Sequence, residues 1–325
     1  MFKFVYSFGI IIFGLSLGYI LQVAVSRQVI SLPIPIDNLR KLLQKIALLF
    51  LNPVAIVGAV WVVAFSSIRL ITIPFVGLLA LFVGGSVTLG ASGVMQLAPR
   101  RKGALFACGS SANIGSIGML VCFVFLGEAG FALVPLYKVF EEVYYYTVVF
   151  PIAKYYGTVE TEKTTAGRRL LGLLKDPFII VAVSSLVAGA LLNRSGIPRP
   201  EIYQTVNAVF IPLATILLLT SIGLALKFRR VTAYWKECIT LSVIKFAAVP
   251  VVATSTAYFL GYGDISGGMP LKVVLILSSM PVAFNALIPP SIYDLDLDLA
   301  NSCWFVTTSL LVLVLPILLW VLQLF

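Results

Sequence analysis

Two stretches of this 325-residue chain carry residue types able to bind a solute in surroundings that are otherwise apolar. The first reads Cys108-Gly109-Ser110-Ser111-Ala112-Asn113-Ile114-Gly115-Ser116-Ile117-Gly118. Its glycines, serines and asparagine weaken helix formation and compete for backbone hydrogen bonds. Unwinding at membrane depth is tolerable only where the backbone lines a cavity or is covered by protein. A small-residue face for close helix packing is the other reading, and Asn113, which needs polar partners, favours the break. The second stretch reads Ser278-Ser279-Met280-Pro281-Val282-Ala283-Phe284-Asn285-Ala286-Leu287-Ile288-Pro289-Pro290. Pro281 removes a backbone donor and clashes with the preceding turn, and Asn285 follows one turn later. The N–H groups opening each second half-helix would carry partial positive charge, which suits an anionic group such as a carboxylate.

Charge inside the apolar runs is concentrated at Lys138, Glu141 and Glu142, followed by Tyr144, Tyr145 and Tyr146. Positions 138, 141, 142 and 145 share one helical face, so Lys138 can pair with either glutamate. Ionisable groups at this depth are functional candidates because lipid exposure is so unfavourable; a self-neutralising pair at a helix interface is the alternative. Lys245 has no sequence neighbour to neutralise it, so it must snorkel, find a carboxylate across the bundle or face water. The substrate-binding candidates are therefore Asn113, Asn285, Ser110, Ser111, Ser279, Pro281 and Gly115, with Asn52 and Tyr145 as further members. Lys138, Glu141, Glu142 and Lys245 are the coupling or charge-pair candidates. The acidic run from Asp294 to Asp298 reads as a solvated turn with Asp298 capping the last helix; a cation-attracting vestibule is the sharper alternative.

The elements that position these residues must be membrane spans. The chain is 60% hydrophobic and 11% charged, with a mean hydropathy of +1.05, far from the composition of soluble domains. Histidine is absent, which excludes Ser-His and Cys-His nucleophile pairs and a histidine relay. Cys108, Cys122, Cys238 and Cys303 lack the spacing of a metal site or disulfide framework, and read as packing residues. Neither an enzyme, a cofactor nor a metal centre is expected. The net charge of +10 comes from basic residues in short loops, where membrane topology explains them better than nucleic acid does.

Apolar runs set against loop punctuation predict ten spans near 4–23, 42–65, 71–97, 103–126, 130–153, 177–193, 203–226, 236–260, 271–291 and 299–324. The first reads as a retained helix rather than a signal peptide, because it is long enough to cross the membrane. With the N-terminus outside, one side holds Arg27, Arg40, Lys41, Lys45, Arg100, Arg101, Lys102, Lys154, Lys163, Arg168, Arg169, Lys175, Lys227, Arg229, Arg230 and Lys236. The other holds only Lys3, Arg69, Arg194, Arg199 and Lys272. That asymmetry predicts both termini outside. A polar linker at 157–175 separates five spans (1–156) from five (176–325), and an odd number per half inverts the second half relative to the first. Faint traces of duplication agree: Pro53 against Pro212, Ser110-Ser111 against Ser278-Ser279, and Pro151 against Pro316. The expected fold is thus an all-α integral membrane protein with ten transmembrane helices in a 5+5 inverted repeat, in which spans 4 and 9 are broken.

In these residues the chain resembles the auxin efflux carrier family of the bile/arsenite/riboflavin transporter superfamily. In the first half the likeness rests on Ala112 to Gly118 and on Leu126-Gly127-Glu128-Ala129-Gly130. In the second it rests on Lys175-Asp176-Pro177-Phe178, Ser195-Gly196-Ile197-Pro198, the Pro212 to Leu226 span, and Met280-Pro281 through Ala300-Asn301. The resemblance implies a scaffold of spans 1, 2, 6 and 7, and a transport domain of spans 3–5 and 8–10 in which helices 4 and 9 cross. It further implies elevator-like alternating access, dimers through the scaffold, and an organic carboxylate held at Asn113, Asn285 and Pro281. Two departures stand out. Ala112 replaces a frequent proline, and the ninth span lacks the glutamate that sodium/bile acid symporters use in cation binding, which argues against sodium coupling by that route. The expected activity is export or exchange of a small organic anion across the cytoplasmic membrane, with proton coupling through Glu141 or Glu142 or none. A sodium-coupled symporter and a non-transporting ligand sensor are the alternatives. The short central loop looks prokaryotic rather than plant-like.

Overall fold

The computed structural model of the chain describes residues 2–62, 67–157, 175, 177–226 and 231–324. Most of the central linker, and the loop carrying Lys227, Arg229 and Arg230, lie outside the described residues. Among the described residues every regular element is helical. In chain order these are α1 (Phe2–Ser26), α2 (Ile36–Ile46), α3 (Asn52–Val62), α4 (Ile73–Val94), α5 (Pro99–Gly109), α6 (Met119–Lys138), α7 (Glu141–Tyr144) and α8 (Phe150–Tyr156). After the linker come α9 (Pro177–Arg194), α10 (Ile202–Gly223), α11 (Trp235–Val243), α12 (Val249–Phe259), α13 (Met269–Ser278), α14 (Ile288–Ile292), α15 (Leu297–Ser309) and α16 (Leu311–Val321).

Six helical runs among the described residues are long and apolar enough to cross a membrane, or seven when α15 and α16, bent by 46°, count as one. Apolar helices that fall short of a full span occur at Ile180–Arg194 and Met269–Ser278. One run, Pro99–Tyr156, is 58 residues long. At about 1.5 Å per residue it would extend roughly 87 Å, against about 30 Å of bilayer hydrocarbon, so it is not a single crossing. It is interrupted at Ser110–Asn113 and again at Gly127, whose φ of 76° a side chain would strain. Large apolar side chains such as Phe13, Ile20, Phe50, Phe75, Val251 and Trp320 are exposed along these helices. In water such a surface would aggregate, whereas in lipid it is the expected outer face.

Prolines shape three of the long helices in the same way. π-turns at Ala47–Leu51, Tyr145–Val149 and Ile244–Ala248 run directly into Asn52-Pro53, Phe150-Pro151 and Val249-Pro250. In each, the residue before proline donates its N–H five residues back, to Ala47, Tyr145 and Ile244 respectively. Proline has no N–H and its ring crowds the carbonyl four residues earlier, and the wider turn makes room for it. This signature groups Pro53 with Pro151 and Pro250, while Pro212 lies within the uninterrupted α10.

The chain divides into two compact units. Met1–Phe65, Gly115–Pro135 and Lys175–Lys227 form the first. Here α1 meets α10 through small residues: a side chain at Gly18 would begin 2.1 Å from the Thr220 carbonyl oxygen and 2.9 Å from Gly223 Cα. Gly14 lies one turn before it, in a small-xxx-small pattern that lets backbones touch. A small core of Ala47, Leu51, Ala214 and Leu218 joins α10 to the π-turn ahead of α3. Gly18→Val is expected to destabilise this unit by about 1–3 kcal/mol or more, read as a lowered melting temperature in detergent. Gly9→Val, whose side chain would meet open space, serves as the neutral control.

Candidate functional site

The second unit comprises Ser66–Ile114, Leu136–Leu174 and Phe228–Phe325, and it contains the second polar stretch and the first as far as Ile114. Helix α5 ends at Gly109, Ser110 closes the last turn onto Phe106, and residues 111–113 leave the helix before a π-turn begins at Ile114. Helix α13 ends at Ser278, and residues 280–283 run unwound to a 3₁₀ turn at Phe284–Leu287. The two unwound segments meet. Asn113 donates its backbone N–H to the Pro281 carbonyl at 2.8 Å, so each break satisfies part of the other's stranded backbone. The Val282 N–H is taken by Thr307 Oγ1 at 3.2 Å.

Glycine, serine and asparagine alone break the first helix, and Ala112 stands where a proline would have forced it. The serines explain how. Ser111 Oγ donates back to the Ala107 carbonyl at 3.0 Å, and Ser279 Oγ to the Leu275 carbonyl at 2.8 Å. The Ser111 hydroxyl thus takes the carbonyl that continued helix would have bonded, while the Ser279 hydroxyl shares the Leu275 carbonyl with its own N–H at 3.3 Å. Ser110 Oγ instead accepts from Tyr144 at 3.4 Å. Asn113, Ser110, Ser111 and Ser279 are all buried. Asn285 is half-buried, and its Oδ1 has no hydrogen-bond partner among the described residues. Tyr145 donates its phenol to the Asn285 backbone carbonyl, tying the π-turn after α7 to the second break.

The charges group around the first break. Lys138 and Glu141 form an ion pair at 3.4 Å, with Glu141 the more buried partner; Glu142 is half-buried one residue on. Lys245 neither snorkels nor reaches open solvent. It is 2% exposed, and its Nζ donates to the Ser111 carbonyl at 2.9 Å. Glu141 lies within electrostatic reach of it. Asn52 and Gly115 fall in the first unit, where the Asn52 amide contacts Met119 Sδ at 3.8 Å.

Two expectations need correcting. Asp296, not Asp298, caps α15, its carboxylate accepting the Leu299 N–H at 3.0 Å. The helix starts two residues earlier than the apolar run suggests, and an alternating Asp-Leu-Asp-Leu-Asp sequence cannot mark which aspartate faces the free N–H groups. Nor is the acidic run a bare vestibule. Arg100 binds Asp294 at 2.6 Å, and Arg101 reaches Asp296 at 3.4 Å and the buried Glu237 at 3.5 Å. Arg100, Arg101, Asp294, Asp296 and Asp298 border a cleft of about 480 Å³. Tyr234 donates to Asp296, and burial with this carboxylate contact holds its phenol above the usual range. The second half-helix of the ninth span is short: α14 has five residues, two of them prolines without N–H groups, so its dipole contributes little.

No protein-family model matches the chain. It is 28% identical over 251 residues to an uncharacterized transporter of Methanocaldococcus jannaschii, covering 75% of this chain and 76% of that protein. An uncharacterized transporter of Methanothermobacter thermautotrophicus is 27% identical over 145 residues, 45% of this chain and 46% of the relative. The chain is therefore a multi-pass helical membrane protein similar to archaeal transporters.

Proposed function

We propose that the chain is a secondary transporter of the auxin efflux carrier type, moving a small organic anion, a carboxylate above all, across the cytoplasmic membrane. The observation that carries this reading is the bond between the unwound segments, Asn113 N–H to the Pro281 carbonyl, with buried serines and amides around it. Paired breaks at membrane depth are where secondary transporters hold solutes. On this reading the ten predicted spans form a 5+5 inverted repeat with both termini outside. Spans 1, 2, 6 and 7 act as a scaffold through which the protein dimerises within the lipid, and spans 3–5 and 8–10 move as an elevator. The membrane potential alone favours anion exit by about 2.3 kcal/mol per charge per 100 mV.

Purified protein in liposomes, screened against mono- and dicarboxylates, tests the proposal. Asn113→Ala and Asn285→Ala are each expected to cut flux about tenfold or more while leaving the melting temperature within a few degrees of wild type. Wild-type flux in both variants would remove the crossing as the binding site. Tight carboxylate binding with no flux in either direction would make the protein a sensor instead.

A further inference from the structure

Lys245 is a buried cation at the crossing to which the transport reading above assigns no role. It sits in the π-turn Ile244–Ala248, which Pro250 induces, and that turn carries it into the protein rather than toward lipid. Its ammonium is 2% exposed and donates to the carbonyl of Ser111, the first residue beyond the C-terminal turn of α5. The C-terminal end of a helix carries partial negative charge and open carbonyls. In broken-helix transporters unwound carbonyls and half-helix C-terminal ends are what coordinate a free cation. Here a covalently attached cation already stands at such a carbonyl. The charged and titratable groups facing it are Glu141 of α7 and the Cys108 thiol of α5, and Glu141 is itself paired with Lys138. With the half-buried Glu142 counted, two carboxylates stand against Lys138 and Lys245, and Lys245 is the cation of this group whose ammonium bonds the carbonyl at the break.

We propose that Lys245 is a tethered cation, its ammonium filling the carbonyl position at the end of α5 that a free metal cation would otherwise occupy, so that the transport cycle needs no sodium. The reference to a transport cycle rests on the function proposed above; the occupancy of the carbonyl position does not. A tethered cation has two consequences. It supplies a permanent counter-charge beside the site, and it removes the ion gradient as an energy source.

Chemical rescue tests this. Lys245→Ala deletes three methylenes and the ammonium, leaving a space that n-propylammonium matches in length and charge. The variant is expected to melt several degrees below wild type. Propylammonium should recover most of that loss and propanol should not, while wild type responds to neither. In liposomes wild-type flux is expected to be equal in sodium and choline buffers. Lys245→Met, which keeps the apolar stem and loses the charge, should stay folded with a melting temperature between those of Lys245→Ala and wild type, and lose flux about tenfold or more. The idea is overturned if wild-type flux requires sodium, if propanol restores Lys245→Ala as well as propylammonium does, or if Lys245→Met transports at the wild-type rate. The thermal measurement needs no substrate. Propylammonium rescue without any carboxylate flux would keep the tethered cation and reject the transport reading, and carboxylate flux without rescue would do the reverse.

Discussion

Replacing Arg199 with methionine is expected to destabilise the first unit by about 3–5 kcal/mol, one of the largest single-site effects in the molecule. Arg199 lies in the loop between α9 and α10, and its guanidinium bonds Glu128 and donates to the Gly58 carbonyl at 2.8 Å. The side chains are only 10% and 19% exposed, so both ions are largely out of solvent. Removing one leaves the other as an uncompensated buried charge, which is worse than having neither. The loop is held for this contact. Gly196 turns it with a φ of 72°, and Trp61 Nε1 donates to the Ile197 carbonyl at 2.8 Å. Glu128 is aimed by the turn at Gly127 just before it. The double variant Arg199→Met/Glu128→Gln should therefore recover most of the lost stability, with a coupling well above the additive expectation in a thermal-melt cycle. If the two single effects simply add, the pair is a surface contact and the argument fails.

The contrast between this pair and the helices shows what the sequence can and cannot reveal. The all-helical class and the two interruptions were legible because they follow from local chemistry: apolar run length, serine hydroxyls competing for carbonyls, proline's missing N–H. The turn at Gly127 and the breaks at Ser110–Asn113 and after Ser278 all fall within stretches marked by composition alone. Partners were not legible. Arg199 and Glu128 each read as an ordinary loop residue, because 71 residues separate them. Lys245 left three options open, and a fourth, a backbone carbonyl 134 residues away, proved to be its bond. Ser111 and Ser279, expected as ligands, spend a hydroxyl hydrogen on their own helix and keep only acceptor lone pairs, whereas Ser110 accepts from Tyr144 and keeps its hydrogen to donate. Contacts between glycines were equally silent, since a glycine in an apolar run looks the same whether it faces lipid or another backbone.

One such contact fixes where the first break stands. Helix α4 passes α5 so closely that a side chain at Gly109 would begin 2.1 Å from Thr88 Oγ1 and 2.8 Å from the Gly84 carbonyl oxygen, and one at Gly84 would begin 2.2 Å from the Gly109 carbonyl oxygen. Thr88 cannot swing away without losing its 2.6 Å bond to Gly84. Gly109→Val is therefore expected to cost about 3 kcal/mol or more. It should also displace the residues that follow, because Ser110 to Asn113 begin at the next position. Thr88→Gly in the same chain removes the nearest clash but not the carbonyl, so it should restore the melting temperature only in part. Flux should recover less than stability does, since the crossing bond from Asn113 to Pro281 depends on where α5 ends, whereas the fold depends only on the helices staying packed. Equal recovery of both would mean that the break finds its own position, and that the α4–α5 contact serves stability alone.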